Sequence, residues 1–213
     1  MTGWQSLRVD LRRLLEESPG ALVVGPNPDS ERREPPIHIQ LAAWATDIGA
    51  TLNTKYGSLL DLRVGAMTFP ARRLWVSEDL PQLRGAPAEP AGLDVEALSP
   101  LSVRTGRYAH DDVLVTNRTA HEHVLITNGS LTSAVADSSG SIVGLYVGPH
   151  TAARVEFAIE PHQSRPVPVL IGTASMVPDL GYAVPPGRWG LVIALHTPSG
   201  NMLSAPLDIT ITP

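Results

Sequence analysis

Apolar residues recur along this chain with two different periods, and the change of period divides it. Trp4, Leu7, Leu11, Leu14 and Leu15 fall at three- and four-residue steps, with Arg8, Arg12, Arg13, Glu16 and Glu17 between them. This spacing predicts an amphipathic helix over 4–17. Thr2 and Gln5 are spaced as a capping box, and Ser18-Pro19-Gly20 ends the helix. Residues 21–24 form a short apolar run read as a strand, and 25–36, with its four prolines among charges, reads as a loop. Leu41, Trp44, Ala45, Ile48, Leu52 and Tyr56 then line one face of a second helix expected over 39–56, with Gly57 placed as its C-terminal cap. After it Leu60, Leu62 and Val64 alternate with Asp61, Arg63 and Gly65, which predicts a strand over 59–67. A further short strand is expected at 74–76.

From 77 to 100 prolines and glycines mix with acidic residues, the composition of a semi-extended linker. The alternative is an arm lying along the second domain, which Leu80, Leu83, Leu93 and Leu98 would permit. Beyond Pro100 the helical period is gone. Nine apolar or alternating runs follow, at 101–108, 112–117, 123–127, 131–137, 142–147, 154–160, 167–171, 188–195 and 203–212. Turn residues such as Asn128-Gly129, Ser138-Ser139-Gly140 and Pro198-Ser199-Gly200 separate them. Pro185 and Pro186 forbid helix entry before the run at 188–195, and Gly187 can take a positive φ there. The expected fold is therefore α+β. A small N-terminal α/β part of two helices and a few strands occupies 1–76. A Pro-rich linker or arm spans 77–100, and an antiparallel β-sandwich of seven to nine strands fills 101–213.

The order of strand and turn features resembles that of bacterial immunoglobulin-like sandwiches, including the kind found in intracellular proteinase inhibitors. The residues that carry the likeness are Val115-Thr116-Asn117, Ala136-Asp137 before a Gly turn, Phe157-Ala158-Ile159-Glu160-Pro161 and Pro185-Pro186-Gly187-Arg188-Trp189. It covers about 101–212 and implies a fold; fold alone does not imply function.

Composition narrows the chemistry. Hydrophobic residues make up 43% of the 213 and charged residues 17%, enough for a core. The net charge of −5 gains little from counterion release, so nucleic acid is not an expected partner. There is no cysteine, which excludes disulfides, thiolate metal sites and a cysteine nucleophile. Residues 1–10 lack a basic segment followed by an apolar core, and no apolar run reaches the ~18 residues of a membrane span. The expectation is a cytoplasmic protein without a membrane span.

His121-Glu122-His123 is the most suggestive cluster, since residues i and i+2 of a strand share a face and could share a metal. His110, Asp111 and Asp112 could join it across a hairpin. The competing reading is a polar turn at a strand end, and no third ligand stands at a recognised spacing, so no metal or other cofactor is expected. Gly172-Thr173-Ala174-Ser175 is only superficially like a nucleophile elbow and reads as a turn after a strand. Gly25-Pro26-Asn27-Pro28-Asp29 lacks the lysine of a phosphate loop. Asn117-Arg118-Thr119 and Asn128-Gly129-Ser130 match the glycosylation pattern but read as turns. Arg32-Arg33 and Arg72-Arg73 are too short for a nucleic-acid patch. Trp4 and Trp44 are expected in the core, and Trp189 is expected buried at one end of the sandwich. Catalytic residues are not assigned. The leading expectation is a non-enzymatic protein-binding or assembly module, its partner a second copy or another protein. A hydrolase or metal-dependent enzyme using His121 and His123, or a structural subunit of a larger assembly, are the alternatives.

Overall fold

A computed structural model of the chain describes residues 3–18, 20–25, 37–64, 92–148 and 153–213. Within them the protein is mixed α+β and largely β. Helix α1 (Gly3–Glu17) forms where the apolar period predicts, burying Leu7 and Leu11. Thr2, half of the expected capping box, lies outside the described residues, as do residues 26–36 and the strand expected at 74–76. Strand β1 (Leu22–Gly25) follows.

The second helix is shorter than its period suggests. Residues Ile37–Leu41 are strand β2, and α2 (Thr46–Tyr56) begins only after a turn through Ala42 and Ala45. Ile37, Ile39 and Leu41 alternate with His38 and Gln40, so this stretch satisfies a period of two as well as 3.6. The β-branched isoleucines suit a pleated surface, and pairing on both sides settles the matter. Gly57 is not a left-handed cap: its φ is −49°, and α2 tightens into a 3₁₀ turn over Gly57–Leu59. Strand β3 (Leu60–Val64) then runs parallel to β2, with α2 as the crossover, while β1 pairs antiparallel on the other side of β2. Leu22, Ile39, Leu41, Leu60 and Leu62 pack against Leu7, Leu11, Leu52 and Tyr56, giving this unit its own core.

Residues 93–212 hold twelve strands among the described residues. They are β4 (Leu93–Ala97), β5 (Leu101–Arg104), β6 (Tyr108–Asn117), β7 (His123–Thr127), β8 (Leu131–Ala136) and β9 (Ile142–Leu145), then β10 (Val155–Ile159), β11 (Ser164–Gly172), β12 (Ala174–Ser175), β13 (Gly187–Thr197), β14 (Gly200–Leu203) and β15 (Leu207–Thr212). Three of them escape the apolar pattern. β4 belongs to the stretch read as linker or arm, and β12 is two residues long. β14 starts at Gly200, read as part of a turn, and meets the run at 203–212 only at Leu203, with Ser204, Ala205 and Pro206 separating it from β15.

The main sheet has the order β4-β6-β11-β8-β13-β15-β5, with β9, β12 and β14 attached at its side. It is mixed, which corrects the antiparallel expectation: β11 runs parallel to β8, and β15 parallel to β5. The strands at the two ends of this path, β4 and β5, are joined by residues 98–100 alone. Four Cα steps reach no more than about 15 Å. The two ends must therefore lie close together, and the sheet rolls into a nearly closed barrel. A ribbon of β7 and β10 packs against the sheet and contributes Leu125 and Ile159 to the core, beside Val113, Val167, Leu191 and Ile193.

Among the described residues, Ala43 and Trp44 hold the N-terminal unit against the barrel. Ala43 is buried with Ala134, Leu145, Ala174 and Ala194 on the outer face of β8, β9, β12 and β13. The small side chains let the backbones approach closely. Beside it the Trp44 indole donates to the Gly181 carbonyl at 3.0 Å. Trp44 is half-buried at this junction, and it reaches the barrel through its polar atom. No helix among the described residues is long and apolar enough to cross a membrane.

Candidate functional site

Four places among the described residues bear on function, and each can be built from the elements that carry it. The first is the face of β2 and β3 turned away from α1 and α2. Parallel register sets His38 beside Asp61 and Gln40 beside Arg63. His38 is buried, with Nδ1 3.1 Å from Asp61 Oδ2 and Nε2 3.2 Å from the amide nitrogen of Gln40. An amide nitrogen only donates, so Nε2 accepts and the ring proton sits on Nδ1, directed at the carboxylate. Arg63 Nη2 lies 3.4 Å from the same carboxylate oxygen. This is the histidine–carboxylate pair of a general base, but the nitrogen that would take a proton is already occupied by Gln40. It holds two strands together.

The second place is the end of β6. Asn117 is fully buried, and its amide nitrogen donates to the carbonyls of His121 (2.7 Å), Ile159 (3.0 Å) and Glu160 (3.2 Å). Its Oδ1 accepts from the Thr119 amide and hydroxyl, each at 2.8 Å. One side chain thus ties β6, the following turn and the end of β10. The Asn117 amide has no room for a glycan, which answers one of the two sequence matches. His121 and Glu122 are exposed in that turn, and His123 opens β7 with Nε2 3.2 Å from the Thr119 hydroxyl. His110, Asp111 and Asp112 stand far back along β6, opposite Leu170, Val169 and Pro168 of β11. β6 and β7 belong to different sheets. The hairpin that would have brought these residues to His121 and His123 does not form. Among the described residues no three His, Asp or Glu side chains are grouped to hold a metal ion.

The third is the turn at 172–185. Ser175 is buried, donating its hydroxyl to the Val177 carbonyl (2.8 Å) and accepting from the Val177 amide (3.2 Å). Thr173 is equally committed, to the Arg107 carbonyl at 2.8 Å. Neither has the exposed hydroxyl of a nucleophile. Tyr182 lies in the same turn, and burial pushes its phenol far above the ordinary range, against a weaker downward pull from Arg107 and Arg63. Its hydroxyl is buried without a hydrogen-bond partner among the described residues. Gly187 has a φ of 156°, and Trp189 is half-buried with its indole donating to the Pro185 carbonyl at 3.1 Å.

The fourth was not visible in the sequence. A groove of about 250 Å³ runs between α1 and α2, lined by Asp10, Leu14, Ile48, Thr51, Lys55 and Tyr56 among others. Asp10 accepts from Lys55 at 2.6 Å and from the Tyr56 hydroxyl at 2.7 Å. The Lys55 bond, followed by that from Tyr56, holds the Asp10 carboxyl below its usual range, and the Asp10 bond raises the Lys55 amine. Residues 45 and 46 positions apart meet here, a separation that no local pattern encodes. The Gly25–Asp29 loop, Arg32-Arg33, Arg72-Arg73 and Trp75 fall outside the described residues, apart from Gly25 at the end of β1.

No family model matches the chain, and no curated protein matches it in sequence. Among solved structures it is similar to part of a β-glucosidase from Listeria innocua in complex with glucose, at 11% identity over 57% of this chain, with a TM-score of 0.31. The chain spans only 16% of that enzyme. A PapD-like domain of human CEP192 aligns at 9% identity over 59% of this chain and 88% of its own, with a TM-score of 0.27. The CooA pilin subunit from enterotoxigenic Escherichia coli aligns at 11% identity over 57% and 99%, with a TM-score of 0.25. Likeness at this level bears on neither family nor function.

Proposed function

We propose that the chain is a non-enzymatic protein-binding or assembly module that acts through strand edges and loops. The observation that carries this reading is β4. An extended segment expected as linker or arm adds to β6 by main-chain pairing, with Leu93 buried beneath it. Strand addition of this kind is how many sheets hold extended partners. The commitment of His38, Asn117, His123 and Ser175 to the fold itself supports the same reading. The strand-rich half is taken as an immunoglobulin-like sandwich whose sheet has rolled. The proposed partner is a protein, either a second copy or another chain, in the cytoplasm.

Sedimentation velocity across a wide concentration range tests this. The expected result is a species heavier than the 22.7 kDa chain, or a defined complex recovered from the native host. A chain that stays monomeric, captures no protein and turns over a hydrolase substrate would overturn it.

A further inference from the structure

The strand edges of this molecule are not alike. β4 carries Asp94 and Glu96 outward, charges that discourage a second strand. Over β10, Arg165 lies against the Phe157 ring, 5.2 Å from its centroid, and donates to the Ala158 carbonyl at 2.9 Å. β1 has neither device. Its sequence, Leu22-Val23-Val24-Gly25, contains no charge, and Val23 and Val24 are 51% and 38% exposed. Among the described residues it pairs on one side only.

Hydrogen-bond phase shows what that edge offers. The Ala42 amide donates to the Ala21 carbonyl at 2.8 Å, continuing the β1–β2 register by one pair. Bonded pairs alternate along an antiparallel ladder. Ala21, Val23 and Gly25 therefore turn their backbone groups toward β2, and Leu22 and Val24 turn theirs outward. The two outward residues are placed symmetrically about Val23.

We infer that β1 pairs antiparallel with β1 of a second copy, about a twofold axis through Val23. This rests on the assembly reading above and names its partner. Leu22 of each copy meets Val24 of the other as a bonded pair, giving four main-chain hydrogen bonds and a continuous six-stranded sheet. The half-exposed Val23 side chains face each other at the close, non-bonded position, where Cα atoms lie about 4.5 Å apart. An uncharged edge brings no like charges together in this arrangement. The interface is isologous, which closes the assembly at a dimer.

The chain has no cysteine, so a single introduced thiol is an unambiguous probe. Val23→Cys, oxidised with copper phenanthroline, is expected to give a covalent dimer, because the Cα separation falls within disulfide reach. Val9→Cys, at a position 63% exposed on α1, is expected to stay monomeric under the same treatment. Val24→Pro removes an outward N–H and leaves the β1–β2 bonds in place, so self-association is expected to weaken roughly tenfold or more. Val23→Lys is expected to do the same through charge. A wild-type chain that self-associates while Val23→Cys fails to cross-link and Val24→Pro keeps its affinity overturns the β1 pairing and leaves the assembly reading standing. A wild-type chain that is monomeric at every concentration overturns the pairing, and the assembly reading then depends on a different protein as partner.

Discussion

In the barrel the first and last strands of the sheet path are linked by three residues, and the chain's own roll brings those ends together. In the three-stranded sheet β2 is covered on both sides, but β1 has one free flank among the described residues. The two regions also use buried polar groups differently. Asn117 satisfies backbone groups from two segments, the turn after β6 and the end of β10, so one side chain fixes a loop. His38 bonds only to side chains, Asp61 and Gln40, and joins two strands that are paired already. A closed sheet needs its loops pinned, whereas an open one needs its strands aligned and retains an edge for use.

Asn117 is where this contrast should show most strongly. Asn117→Ala leaves the buried Ile159 carbonyl and the Thr119 amide without their partner, at about 1–3 kcal/mol for each unsatisfied group. Urea denaturation is expected to show a loss of about 3–4 kcal/mol. His38→Phe, by contrast, should cost distinctly less, since no backbone group loses a bond. Equal losses would mean that the two polar sites play the same role.

A more modest change is expected from moving the point where the barrel begins. A fragment of residues 92–213 retains β4, and one of 99–213 lacks it and the fully buried Leu93. Burial of a leucine contributes about 1.5–3 kcal/mol, so the shorter fragment is expected to melt measurably earlier. Identical thermal unfolding would show that β4 is an appendage and that the roll closes without it. Circular dichroism of the longer fragment also tests whether the barrel needs the Ala43 and Trp44 contacts.

On the N-terminal side the expected changes are slighter still. Asp10 is held below its ordinary carboxylate range, so its bonds stabilise the fold above the unfolded value and are lost as pH falls through the folded one. Lys55 is raised, so its contribution is complete below its unfolded value and is lost as pH rises through the folded one. In Lys55→Met the Asp10 carboxyl should titrate nearer to ordinary aspartate, read by carbon-detected NMR. An unmoved Asp10 would show that Tyr56, not Lys55, governs it.

Much of the element pattern was legible, and the reasons for the failures are specific. The strand at His123–Thr127 has the bounds its apolar run predicts, and α1 differs by one residue, because both depend on local period. Ile37–Leu41 fits both periods, and only its place in the middle of a sheet decides between them. Leu93–Ala97 has an ordinary strand pattern but sits among prolines and glycines that read as linker. The parallel pairs β8–β11 and β5–β15 join residues remote in sequence, and no single strand shows which way its neighbour runs. The polar sites were the least legible. Asn117 was visible as a turn residue, not as the tie between two sheets. His38 and Asp61 meet across 23 positions, and Asp10 and Lys55 across 45. The histidines that stood out, His121 and His123, did so because they are close in sequence, and closeness in a turn is not convergence in space.

The parallel seam between β5 and β15 also decides how the molecule bears a load. Leu101 lies beside Ile209 and Arg104 beside Thr212, with both strands pointing the same way. Traction applied at Pro100 and Pro213 pulls the strands past each other along their length. Their hydrogen bonds are then strained together and must fail together. β13 and β14, joined by a tight turn, would unzip bond by bond if pulled from their open ends. The same kind of bond therefore yields at high force in one place and at low force in the other. Drawn taut from residue 100 to residue 213, the chain is fastened by a clasp that works in shear.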